Sequence, residues 1–140
     1  MTEGNNITSV DLTQKWVDTL AFFDTLVDNG HKLRPIRLLI RHIIDKGYDT
    51  KLFPGSSLYD LLISIPTDNK INYDKSLRVS CDQLHNTVVF KYIDTTGLTK
   101  NDSNSLAKAS RWTGTCQLTE VNDTFEYFMT QVNSWAIIKR

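Results

Sequence analysis

Cysteine, proline and glycine are all scarce: two, three and six residues respectively in a chain of 140. Cys81 and Cys116 are too few for a disulfide scaffold. They are also too widely spaced for a cysteine-based zinc site, so free buried thiols are expected. The glycines are isolated, which removes the phosphate-cradling loop and the dinucleotide fingerprint. The paucity of proline, with 40% hydrophobic and 10% aromatic residues, separates the chain from disordered and fibrous classes. No apolar run approaches the roughly 20 residues of a membrane span, so no membrane association is expected.

Charge of one sign is missing as well. Sixteen basic and sixteen acidic side chains give a formal net charge of zero. No global field draws such a chain toward nucleic acid, and a binding role of that kind is disfavoured. The same neutrality lowers the barrier to self-association and admits a homodimer. Met1 to Val10 is polar, without the basic and apolar regions of an export signal, so the expected compartment is cytoplasmic. The Asn-x-Ser/Thr triplets at Asn6, Asn101 and Asn122 then read as chance matches.

At 140 residues the chain suits a single domain over 1–140. Residues 1–10 are expected to be a flexible N-terminus and 94–105, rich in Asn, Asp, Ser and Thr, a mobile loop. Leu12, Trp16, Leu20, Phe23 and Val27 recur at helical spacing over 11–29, with Asp11 and Gln14 resembling a capping box and Gly30 as the stop. A second helix runs from Arg34, with Pro35 in its first turn, to Gly47; its apolar face is Ile36, Leu39, Ile40, Ile43 and Ile44. In 57–65, Leu58, Leu61, Leu62 and Ile65 keep helical spacing after Pro54-Gly55, which predicts a short helix; the residue types leave a strand open.

The period then changes to alternation. Val79 with Cys81, then Val88, Phe90 and Tyr92, then Trp112, Gly114, Cys116 and Leu118 predict three strands. Val89 and Ile93 are apolar too, so the second strand should be central or covered on both faces. From Asn122 or Asp123 a last helix is predicted through Phe125, Phe128, Met129, Val132, Trp135 and Ala136. The expected fold is α+β: N-terminal helices, a three-stranded antiparallel sheet, and a C-terminal amphipathic helix packed on one sheet face.

No catalytic constellation stands out. His31, His42 and His85 are the imidazoles, and no local motif joins any of them to a serine or a thiol. Asp82 and His85 could chelate a metal across one turn, but a solvated hairpin tip suits them better, and neither metal nor cofactor is expected. The feature with the most binding chemistry is a basic stripe: Arg34, Arg37 and Arg41 fall within about 60° of one another on the second helix, extended by Lys32 and flanked by Leu38 and His42. Guanidinium groups in a row can grip a carboxylate, a phosphate or an acidic partner. Against that stands a plain solvated face, with Arg41 pairing to Asp45 one turn on. Trp112, beside Arg111 and the polar loop, and Trp135, near the end of the last helix, are second candidate anchors, although a tryptophan at core period is more often core, Trp16 and Trp135 more so than Trp112.

The sequence therefore favours a non-enzymatic protein-interaction or regulatory module that binds a protein partner, or itself, through an Arg/Trp-bearing surface. The alternative is an enzyme or a binder of a small anionic ligand using Arg34, Arg37, Arg41 and His42. That alternative requires a cleft converging on those side chains.

Overall fold

Thr8 opens the first helix by a reciprocal cap: its side chain accepts from the Asp11 amide, and the Asp11 carboxylate accepts from the Thr8 amide at 3.1 Å. The computed structural model describes residues 8–66, 73–95 and 110–139. The expected flexible segment 1–10 and mobile loop 94–105 thus fall largely outside the described residues. Helix α1 spans Ser9–Asp28 and ends at Gly30, where φ is +97°. Gly30 N donates to Val27 O and His31 N to Leu26 O, both at 3.0 Å. These two bonds close the turn that a left-handed glycine permits. Helix α2, Arg34–Asp45, ends the same way at Gly47, with φ +80°.

The apolar stripes of both helices face inward. Leu12, Trp16 and Phe23 of α1 and Ile36, Leu39, Ile40 and Ile43 of α2 are buried. Trp16 keeps its indole N–H satisfied inside the core by donating to Leu52 O at 2.8 Å.

The chain has a five-stranded antiparallel sheet in place of the expected three strands. Strands β1 (Phe53–Ser57), β2 (Asp60–Ser64), β3 (Lys75–Asp82), β4 (Thr87–Asp94) and β5 (Ser110–Gln117) pair in sequence order. The two additional strands replace the short helix expected over 57–65. Leu61 and Ile63 form a buried alternating row, and Ser57 pairs with Asp60 across a two-residue turn. Leu58 takes φ +57° in that turn. Leu-Tyr is not the Asn-Gly or Asp-Gly that announces such a hairpin. Pro54 sits on an edge strand, where its missing N–H costs no ladder bond.

The inward row of the sheet (Leu61, Ile63, Leu77, Val79, Val88, Phe90 and Tyr92) joins the helix side chains in one core cluster. Phe53, Leu62, Val89 and Ile93, on the other alternation, are not part of it. Strand β4 lies between β3 and β5, a central position as its apolar residues on both faces suggest.

After β5 a single 3-10 turn, Leu118–Glu120, leads into α3, Val121–Gln131. The single C-terminal helix expected from the pattern is two helices: Val132 is extended (φ −121°, ψ 118°), and α4 covers Asn133–Lys139. Gln131-Val132-Asn133-Ser134 combines a β-branched residue with side chains that compete for backbone hydrogen bonds, a combination that weakens helix continuation. The Val132 carbonyl restarts the helix by accepting from Trp135 N and Ala136 N, both at 2.9 Å. Trp135 packs its ring 5.0 Å from Phe128 and 5.7 Å from Tyr92. Among the described residues no helix is long and apolar enough to cross a membrane.

Candidate functional site

The stop of α1 and the start of α2 lie close in sequence, and the short turn between them sets Lys32 on the same rim as Arg34. Helix α2 begins without a side-chain cap, and its first turn carries no acidic residue. Arg34 and Arg37 therefore add positive charge at a helix end that already favours anions.

Two adjoining hollows open along this rim. One, of about 310 Å³, is lined by Arg34, Arg37, Arg41, Pro35 and Leu38 of α2 together with Leu118 and Thr119. The other, of about 350 Å³, shares Arg34, Pro35 and Leu118 and adds Val27, Gly30, His31 and Lys32. The basic stripe lies in a cleft walled by the 3-10 turn that follows β5. Its floor is partly apolar: Leu38 and Leu118 are exposed there at 44% and 39%, large enough values to leave greasy contact area between the cations.

One carboxylate serves two of the arginines. Asp24 Oδ1 on α1 lies 3.4 Å from Arg37 Nη1 and 3.8 Å from Arg41 Nη2. Arg41 thus turns across the α1–α2 interface to Asp24, not to Asp45 along its own helix. Both contacts are long and partly solvated, so they tether the guanidiniums weakly. Arg34 and Lys32 have no ion-pair partner among the described residues. The cleft keeps an excess of positive charge.

His42 and Trp112 do not line this cleft. The His42 imidazole turns to α3, where its Nε2 lies 2.7 Å from Glu126 Oε2. Tyr48 OH donates to Glu126 Oε1 at 3.1 Å, and Lys139 Nζ lies 3.1 Å from the same oxygen. Burial alone would raise the Glu126 carboxyl, but hydrogen bonds from His42, Lys139 and Tyr48, with the Lys139 charge, outweigh it and hold it below its ordinary value. Tyr48 moves the other way: burial first, then its bond to Glu126 and that residue's charge, pushes the phenol up to about 12. This network ties α2, α3 and α4 together. Nothing in the sequence pointed to Glu126, Tyr48 or Lys139, because their pairing joins segments as many as 84 residues apart.

Trp112 is half-buried on the inward side of β5. Its ring packs 5.1 Å from Phe128 and 6.5 Å from both Phe90 and Tyr127. A Cβ at Gly114 would stand 2.6 Å from its Cη2 atom, so glycine there is what lets the indole lie flat along its own strand. Cys81 and Cys116 both face Val88, from opposite sides. Two strand spacings, about 10 Å, separate them, beyond the reach of a disulfide. Burial pushes the Cys81 thiol up to about 11 and raises Cys116 as well, so neither is an activated nucleophile.

At the β3–β4 hairpin the Asp82 carboxylate and the His85 imidazole bond each other, Oδ2 to Nδ1 at 2.8 Å. Among the described residues no group of three metal-ligating side chains converges. No hydrogen bond among them joins an imidazole to a hydroxyl or a thiol of serine, threonine or cysteine. No family model matches the chain, and neither a curated protein nor a solved structure matches it.

Proposed function

We propose that the chain is a non-enzymatic binding module whose working surface is the cleft between the α1–α2 turn, α2 and the 3-10 turn after β5, and that its occupant is an acidic segment of a partner protein. The observation that carries this reading is the placement of Arg34, Arg37 and Arg41 along one cleft, with Asp24 as the one carboxylate ion-paired to them among the described residues. Forked donors over a partly apolar floor suit a strand or helix that alternates carboxylates with aliphatic side chains. Arg34 is the strongest candidate anchor, since it lies in both hollows and has no ion-pair partner among the described residues. Trp112 is not part of this surface, and neither is His42, whose imidazole is engaged by Glu126. We place the module in the cytoplasm, where free thiols persist.

The test is capture from lysate by the tagged chain and by an Arg34→Glu, Arg41→Glu double variant, with native mass spectrometry of the eluates. A protein held at fixed stoichiometry by the parent chain and lost from the variant is the expected result. Equal capture by both removes this surface. The variant should melt within about 4 °C of the parent, because Arg34→Glu places a favourable carboxylate at the start of α2 while Arg41→Glu loses a partly solvated contact with Asp24.

A second reading, a small anionic ligand in the same cleft, has one observation in its favour: each hollow lies at the lower end of the volume range of ligand pockets. A co-eluting small molecule with no protein partner, lost from the same variant, distinguishes it.

A further inference from the structure

The outward face of the sheet carries a cross-strand row that is costly for the fold. Gly55, Leu62, Arg78, Lys91 and Thr113 stand opposite one another on β1 to β5. Arg78 and Lys91 are directly opposed on neighbouring strands, an arrangement that destabilises a sheet. Asp60 relieves one of them, at 2.8 Å from Arg78 Nη1. Lys91 has no acidic partner among the described residues. Lysine at this position is therefore unfavourable for the sheet and calls for another use.

Over the same row lies a cleft of about 440 Å³, lined by Leu62, Tyr73, Ser76, Arg78, Lys91 and Ile93. Tyr73 forms one end. Its hydroxyl comes within 2.6 Å of where a Cβ on Gly55 would be, so the absence of a side chain at Gly55 lets the phenol lie down on the sheet. Its ring leans on Phe53, centroids 6.3 Å apart. Burial pushes the phenol up, which keeps the hydroxyl protonated and able to donate. Leu62 and Ile93 supply apolar floor outside the main core. From β1 to β4 the row spans roughly 14 Å at the usual strand spacing.

We infer that this cleft is a second binding site, separate from the α2 cleft, for a small organic anion with an apolar body: the anionic group between Arg78 and Lys91, the body over Leu62 and Ile93 toward Tyr73. An anion between two like charges turns their repulsion into attraction, and the cleft's volume falls within the range of small-molecule pockets.

Sodium octanoate is the probe, followed by amide chemical shifts of the full chain. The expected result is saturable binding at about millimolar or tighter, with shifts confined to the neighbourhood of Leu62, Ser76, Arg78, Lys91 and Ile93. Octanol, which lacks the charge, and inorganic phosphate, which lacks the body, should each bind at least about tenfold more weakly. Lys91→Glu should weaken octanoate at least about tenfold while raising the melting temperature by about 1–4 °C, since it replaces a repulsive cross-strand pair with an attractive one. Lys91→Met, which keeps the aliphatic stem, should weaken binding similarly and serves as the second variant. The inference is overturned by any of these: no saturable shifts, shifts confined to the α2 cleft, octanol or phosphate binding as tightly as octanoate, unchanged affinity in both variants, or a lower melting temperature in Lys91→Glu.

Discussion

Among the described residues, Glu126 gathers polar contacts from three partners. It accepts from Tyr48 and binds His42 and Lys139 with a side chain only 22% exposed, so its removal leaves three polar groups short of a partner. Glu126→Gln should cost about 1–3 kcal/mol, read from urea denaturation at pH 7. The pH dependence follows from the two displaced groups. The Glu126 carboxyl is held below its ordinary value, so its contribution is present above that value and is lost as pH falls through the folded one. The Tyr48 phenol is pushed up from 10.0 to about 12, so its contribution is complete below pH 10 and is lost as pH rises toward 12 and beyond. In Glu126→Gln the acid limb should flatten, while the alkaline limb is reduced but persists, because burial is the largest cause of the Tyr48 shift. A variant whose stability falls with acid as steeply as the parent's would show that other carboxylates dominate that limb.

Among the elements, the β1–β2 hairpin is the sharpest divergence between pattern and structure. Leu58, at the turn, is exposed at 87% and held at φ +57°, so it loses backbone energy and gains almost no burial. Leu58→Gly should stabilise the chain by about 0.5–1 kcal/mol, seen as a higher denaturation midpoint. A lower midpoint would mean that the leucine stem supports the hairpin. The helical spacing of Leu58, Leu61, Leu62 and Ile65 was coincidental, because Leu61 and Leu62 point to opposite faces of a strand. Helices α1 and α2 were legible because their stops are glycines with positive φ and their stripes are long. The break at Val132 was not, since Phe125, Phe128, Met129, Val132 and Trp135 still fit one helical arc. The three arginines could be placed on one face from spacing alone. That Asp24 and Leu118 complete their surroundings depends on contacts between distant segments, and so does the turning of His42 toward Glu126.

For the whole molecule, the aromatic cluster under the sheet dominates. Phe128 is fully buried and its ring neighbours Tyr92, Trp112, Phe125 and Trp135, with centroids between 5.0 and 6.5 Å. Phe128→Ala should cost about 3–5 kcal/mol, a large fraction of the stability of a domain this size. Differential scanning calorimetry would report a melting temperature lower by roughly 6–20 °C. A drop of only one or two degrees would show that the surrounding rings collapse into the space.

The order of the chain bears on how it is made. Strands β1 to β5 pair each with the next, so the sheet can assemble as it is synthesised. Phe125, Phe128, Met129 and Trp135, which belong to the same core as α2 and the inward row of the sheet, come after all five strands. Until they arrive, a nascent chain holds a sheet whose inward side is covered only by α1 and α2, and the apolar surface still bare is an aggregation hazard.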